Sequence, residues 1–240
     1  GVMMASAVRT CANRFAVAAG RKVSIFTNND DGHRTARDLV ALGVNVVGVI
    51  DTRKGSAATG NYPVFAASQV IDTKGRLGLS QITVRGPSGT QTLDTDCLAI
   101  SGGWNPSVHL TCHMNGRPAW REDIAAVVPM ENAVPGMIVA GAANGEFSTH
   151  AALATGDAAA RAVLSDLGKA TAKTTLPKAE DAPVSITPFW HVEGGKGRSW
   201  LDMQNDVTTK DVKLAHQENF RSVEHLSLIH ISEPTRLRRI

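Results

Sequence analysis

Residues 22–51 read KVSIFTNNDDGHRTARDLVALGVNVVGVID, and this stretch decides the fold. Lys22 to Thr27 is a short β-rich run. Gly32 to Leu42 has helical spacing, with Ala36, Leu39 and Val40 on one face and Gly43 as the stop signal. Asn45 to Asp51 is a near-continuous apolar run, the pattern of a strand buried on both faces of a parallel sheet. Strand, helix and strand within about thirty residues make a βαβ unit.

Downstream, Gln69–Asp72, Leu79–Val84 and Thr90–Leu93 are short segments separated by the turn signals Lys74-Gly75 and Gly86-Pro87-Ser88-Gly89. A small antiparallel meander is the simplest account of that spacing. Cys97–Ser101 (CLAIS) resumes the buried-strand pattern, and Met137–Ala142 (MIVAGA) is expected to be another buried strand. Ser148–Leu167 is one long Ala-rich helix. Lys169–Pro183 (KATAKTTLPKAEDAP) has linker composition, with no apolar period. From Ser185 a different module begins. Its clearest element is a helix from about Thr209 to Glu218, with Thr208 as N-cap and Asp211 closing a capping box.

The 240 residues carry 25 Lys and Arg against 22 Asp and Glu, a net charge of +3. That small, spread charge does not call for nucleic acid or an anionic membrane. No apolar run approaches the roughly 20 residues of a membrane span. Cys11, Cys97 and Cys112 are too scattered for a disulfide framework, so a reducing cytoplasm is expected. Leu226–Arg236 (LSLIHISEPTR) matches the translation of a transposon-type sequencing adapter, so residues 226–240 are set aside from fold reasoning. The other reading is a basic tail with an acidic partner.

A βαβ unit invites a dinucleotide, whose pyrophosphate needs glycines before the helix N-terminus. With Gly32 as the third glycine, Thr27 and Asn29 occupy the first two positions. Asn29 can take the turn but keeps a side chain where a phosphate needs room. Asp30 and Asp31 then oppose a diphosphate at the helix start. Asp51, at the end of the second strand, stands where an acid would hold a ribose hydroxyl. Asn29 and Asp51 are therefore weaker candidates. The alternative is a Rossmann-like lobe that keeps its architecture and has lost its ligand.

A second junction is more favourable. Gly141-Ala142-Ala143-Asn144-Gly145 leads through Glu146-Phe147 to Ser148-Thr149 and a helix. Small residues let a ligand touch the backbone, and the helix start offers free N–H groups to an anion. The bland alternative is a tightly packed turn. His109, Cys112 and His113 lack a fourth partner and do not make a metal site; His191, His216 and His225 lack ligand spacing. No nucleophile arrangement is present, so no catalytic residue is assigned.

With these residues in view, Gly1–His225 resembles the α subunit of heterotetrameric sarcosine oxidase. The resemblance rests on Thr27-Asn28-Asn29-Asp30, Ser101-Gly102-Gly103-Trp104-Asn105-Pro106, Val139-Ala140-Gly141-Ala142, and above all PFWHVEGGKGRSW (188–200) and QNDVTTKDVKLAHQENFRSVEH (204–225). It implies an α/β, glutathione-reductase-like FAD/NAD(P)-binding body of two nested Rossmann lobes, incomplete at its N-terminus here. Residues 1–168 would hold a second lobe at about 20–133 and a return to the first lobe at 134–168. Residues 169–184 would be the linker. Residues 185–225 would begin a small α-containing module of the BFD-like kind. Related modules hold a [2Fe–2S] cluster through cysteines, but no cysteine follows Cys112.

The resemblance further implies NAD in the first lobe, with Ala142, Phe147 and Thr149 contributing from the return stretch. The complex it implies has β, γ and δ subunits, with FAD and FMN held through the β subunit. It would oxidise sarcosine, pass the one-carbon unit to tetrahydrofolate on a domain outside this stretch, and form peroxide. A non-enzymatic assembly scaffold and the α subunit of an amino-acid or opine dehydrogenase are the rival expectations.

Overall fold

The computed structural model describes residues 1–55, 60–172, 175–182, 184–203 and 206–222. The adapter-like segment 226–240 lies outside the described residues, as does His225. Strand β1 (Val2–Met4) runs into helix α1 (Ala5–Phe15), and β2 (Lys22–Thr27), α2 (Asp30–Ala41) and β3 (Asn45–Asp51) follow. Both strands of the βαβ unit fall on the predicted residues. The helix starts earlier than its apolar pattern, because Asn29 caps it by accepting the Asp31 N–H at 3.0 Å. Gly43, just beyond its end, has φ +77°, a left-handed value suited to glycine.

After the short β4 (Val64–Phe65) come β5 (Gln69–Lys74), β6 (Gln81–Gly86) and β7 (Gly89–Asp94), an antiparallel meander as the turn signals predict, and then β8 (Cys97–Ser101). The main sheet has the order β1-β8-β2-β3-β4, with all neighbours parallel. Its apolar runs are continuous because both faces are covered. Ile25, Val49 and Ala99 pack with Val8 and Ala12 of α1 and Ala36 and Leu39 of α2. Ile50 and Leu98, one step along their strands, point the other way and pack with Val70, Ile82 and Val84 of the meander.

Three expectations change. The lobe begins near Val2 rather than near residue 20, because β1 pairs with β8 and α1 buries Ala5, Val8 and Ala12 in the sheet's core. Met137–Ala142 is not a strand. A strand exists through its ladder, and no described strand pairs with 137–140; Gly141–Asn144 forms a 3₁₀ turn instead. The chain also separates into two units, Gly1–Phe189 and a second from Trp190. Residues 185–189, expected to open the second module, belong to the first unit, because their backbone is hydrogen-bonded to the start of α2.

The rest of the first unit holds a one-turn helix α3 (His109–His113), a hairpin of β9 (Pro118–Arg121) and β10 (Ala126–Pro129), and the long helix α4 (Thr149–Asp166). In the second unit, β11 (Trp200–Asp202) pairs with β12 (Val207–Thr208), which leads into α5 (Thr209–Gln217). Thr208 and Asp211 form the predicted capping box, with the Thr208 N–H donating to the Asp211 carboxylate at 2.7 Å. No helix among the described residues is long and apolar enough to cross a membrane.

Candidate functional site

Two helix starts carry the candidate residues, and they differ in chemistry. The first is the end of the parallel sheet around Asn29, Asp30 and Asp51. Thr27, at the end of β2, receives the Asn29 N–H on its hydroxyl at 3.1 Å and donates that hydroxyl to the Asn29 carbonyl at 2.9 Å. This fixes the turn without a glycine at either position. The Asn29 side chain is fully buried. It donates to the Ser101 carbonyl at 3.0 Å and accepts from the Ser101 hydroxyl at 3.0 Å, tying the turn to β8. Asn29 is thus a structural cap, with its amide spent inside the protein.

Asp51 is equally enclosed, at 0% exposure. One carboxylate oxygen accepts the Arg53 backbone N–H at 2.9 Å and its Nε at 3.1 Å. The other accepts His33 Nε2 at 2.8 Å and Arg53 Nη2 at 2.8 Å. Burial alone would raise this acid. The hydrogen bonds from His33 and Arg53 outweigh burial and hold it at about 2. The Asp51 carboxylate is an acceptor, so His33 carries its proton on Nε2, with Nδ1 3.4 Å from the Tyr62 hydroxyl. Arg53 also donates to Asp30 at 2.7 Å. Its pKa is raised: burial pulls it down, but Asp51 and Asp30 prevail. Both oxygens of Asp51 are engaged by its own chain, which leaves no exposed face for a ribose hydroxyl. His33, Arg53 and Tyr62 were not singled out from the sequence; the only local signal is the Asp51-Thr52-Arg53 spacing, which puts acid and base on one side of an extended chain.

The second site is the turn Gly141–Ser148. The Gly141 N–H donates to the Thr155 hydroxyl at 3.1 Å, and that hydroxyl donates to the Ala151 carbonyl at 2.8 Å, so the turn is pinned to the second turn of α4. Gly145 has φ +81°, and a Cβ there would lie 2.7 Å from Ile124 and 3.0 Å from Val128. Arg121 of β9 holds the turn from outside, donating to the Asn144 carbonyl at 3.2 Å and the Glu146 carboxylate at 3.1 Å. Asp123 and Glu146 together raise the Arg121 pKa. Ser148 caps α4 by accepting the Ala151 N–H at 3.1 Å.

Among the predicted residues, Ala142 and Thr149 are exposed and Phe147 is half-buried. The turn brings them onto one short stretch. A cleft of about 510 Å³ lies beside it, lined by Asn144, Thr155, Ala159, Met130, Val134 and Ile138 among others. Ala142, Phe147 and Thr149 do not line that cleft, whereas Asn144 and Thr155 do. The first turn of α4 carries no acid, in contrast to Asp30 and Asp31 on α2. Among the described residues no group of three His, Cys, Asp or Glu is placed to hold a metal; His109 and His113 sit on α3 with Cys112 exposed.

Comparison with known proteins bears on this geometry. The Sarcosine oxidase A3 domain matches residues 196–227. Sarcosine oxidase subunit alpha of Rhizobium meliloti (strain 1021) is 37% identical over 93% of this chain and 23% of its own length. The Corynebacterium sp. (strain U-96) protein of the same name is 35% identical over 94% of this chain and 25% of its own. The chain therefore spans about a quarter of these curated relatives. Among solved structures, L-proline dehydrogenase from P. horikoshii covers 91% of this chain and 41% of its own, with a TM-score of 0.63 and 17% identity. T. acidophilum thioredoxin reductase covers 67% and 57%, with a TM-score of 0.51 and 21% identity. The likeness to these two shows the fold: an α/β body of the FAD/NAD(P)-binding, Rossmann-like kind.

Proposed function

We propose that this chain, similar along nearly all its length to sarcosine oxidase α subunits, is the part of such a subunit that helps hold NAD and docks the remaining subunits. The observation that carries the reading is the 37% identity across 93% of the chain. The oxidoreductase activity belongs to the whole complex: oxidative demethylation of sarcosine, with tetrahydrofolate as one-carbon acceptor and peroxide as product. The flavins FAD and FMN, held through the β subunit, supply the redox chemistry, so this chain needs no acid or base of its own. The partners in this reading are the β, γ and δ subunits, and the compartment is the cytoplasm.

The residues of the Gly141–Ser148 turn fit an anionic cofactor better than those at the start of α2. The first turn of α4 carries no carboxylate of its own, and Asp181 accepts the hydroxyl of the Ser148 cap at 2.9 Å, so an anion there meets one acid against the two in the first turn of α2. Ala142 offers backbone without a side chain in the way, Thr149 offers an exposed hydroxyl, and Phe147 a flat apolar edge. Thr155 and Arg121 position the turn rather than touch the cofactor.

Calorimetry on the longer protein, with the first lobe present, tests this. NAD binds to it, and Thr149→Ala and Phe147→Ala each weaken that binding several-fold. If the longer protein binds no dinucleotide, the chain is an assembly scaffold.

A further inference from the structure

The start of α2 is occupied by the chain itself. The Asp30 N–H, the first of the helix, donates to the Ser185 carbonyl at 3.1 Å. Arg53 Nη1 donates to the same carbonyl at 3.0 Å. The Ser185 N–H returns to the Asp30 carboxylate at 2.8 Å. Two residues on, Asn28 and Thr187 exchange bonds: the Thr187 N–H reaches the Asn28 carbonyl at 3.0 Å, and the Asn28 amide reaches the Thr187 carbonyl at 2.9 Å. Ile186 forms an antiparallel bridge to Asn29, and its Cδ1 fills the space over Gly103, where a Cβ would come within 2.5 Å. Phe189 then stands edge-on against Phe26, with ring centroids 6.2 Å apart.

In an open α/β sheet, the crevice beyond the strand ends and the first N–H groups of the following helix receive a nucleotide's phosphates. Here the Asp30 N–H is taken by Ser185, and the Asp31 N–H by the Asn29 side chain. The Ser185 carbonyl lies between a helix N–H and a guanidinium, the two donors an anion would use. A neutral oxygen suits that place because the guanidinium is already matched by the carboxylates of Asp30 and Asp51. We propose that residues 185–189 are a built-in strap that occupies the phosphate position of this lobe and closes it to dinucleotides. The strap is independent of the NAD site proposed at Gly141–Thr149, and the two can fail separately.

Hydrogen–deuterium exchange on the full-length chain, read by mass spectrometry with and without millimolar NAD or NADP, tests it. Without ligand, the Ser185 and Thr187 amides exchange on the order of 100-fold slower than an unstructured segment. Added dinucleotide leaves peptides 26–31 and 184–189 unchanged, whatever happens at peptide 141–151, which reports separately on the other site. Thr187→Pro removes the N–H that bonds Asn28 and speeds exchange at Ser185 about tenfold, leaving β3 and β8 unaffected. Protection of 26–31 by dinucleotide with loosening of 184–189 overturns the proposal. So does fast exchange at 184–189 in the unliganded wild type, or an unchanged strap in Thr187→Pro.

Discussion

Replacing Asp51 with Asn tests whether the buried network around it stabilises the lobe through charge. Asp51 is fully enclosed, with His33 and Arg53 hydrogen-bonded to its two oxygens. Its descent from the usual 3.8 to about 2 corresponds to about 2–3 kcal/mol, each pH unit being worth a little over 1 kcal/mol. A lowered carboxylate contributes stability that is fully present above its ordinary value and is lost as the pH falls through the folded value. The window for this effect is therefore pH 4 to 2. Asn keeps the shape but removes the charge, and Arg53 is left with Asp30 as its carboxylate and the neutral Ser185 carbonyl. The loss at neutral pH should then be about 3–5 kcal/mol, the cost of breaking a buried pair. The two proteins should converge by about 2–3 kcal/mol as the pH approaches 2, because the wild type then loses the same charge. Urea titrations of the full chain at pH 7, 4 and 2.5, each sampled by pulsed exchange of the peptide spanning β3, measure both quantities. A gap that stays flat with pH, or one under about 1 kcal/mol at pH 7, would refute the electrostatic account.

Two further substitutions probe local packing. Gly32→Ala places a Cβ 2.4 Å from Thr27, which cannot turn aside because its hydroxyl is bonded to both backbone groups of Asn29; we expect a loss of about 1–3 kcal/mol in the same urea assay, and an unchanged midpoint would show that the turn can yield. Thr208→Ala removes the cap of α5 and should destabilise that helix by about 1 kcal/mol, seen as roughly fivefold faster exchange at Lys210 and the residues after it.

Much of the sheet was legible because its signal is local. Lys22–Thr27 and Asn45–Asp51 stand out as apolar runs of strand length, and the meander is marked by glycine turns. β1 escaped notice because three residues carry no period; it is a strand only because β8 lies beside it. Met137–Ala142 misled for the converse reason. An apolar run shows the wish for burial, whereas a strand needs a neighbour's backbone, which the described residues do not supply. The resemblance to sarcosine oxidase α subunits and the Rossmann-like fold were both readable, since they rest on long stretches rather than single positions. The polar network was only half readable. Asp51 sits where a ribose-binding acid belongs, but Arg53, two residues on, and His33, on the facing helix, consume it. The strap was invisible, because Ser185 meets Asp30 across 155 residues and its own stretch has no apolar pattern.

The two helix starts show what a strand-to-helix junction can and cannot say by itself. Both place small or polar residues before a helix, and sequence templates treat both as phosphate hosts. What separates them is where each helix finds partners for its first N–H groups. At α2, Asn29 supplies one from its side chain, the strap supplies another, and Asp30 and Asp31 compensate the helix dipole. Such a helix gains little from an external anion and would have to expel a seated peptide to bind one. At α4, Ser148 caps one N–H and no acid follows in the first turn; Asp181 accepts the Ser148 hydroxyl from outside the helix, so an anion there would meet one carboxylate rather than two. The discriminating feature is thus the charge of the first helical turn. Two aspartates after an asparagine cap mark a helix whose terminus the protein satisfies for itself, even where the surrounding βαβ unit has the form of a nucleotide lobe.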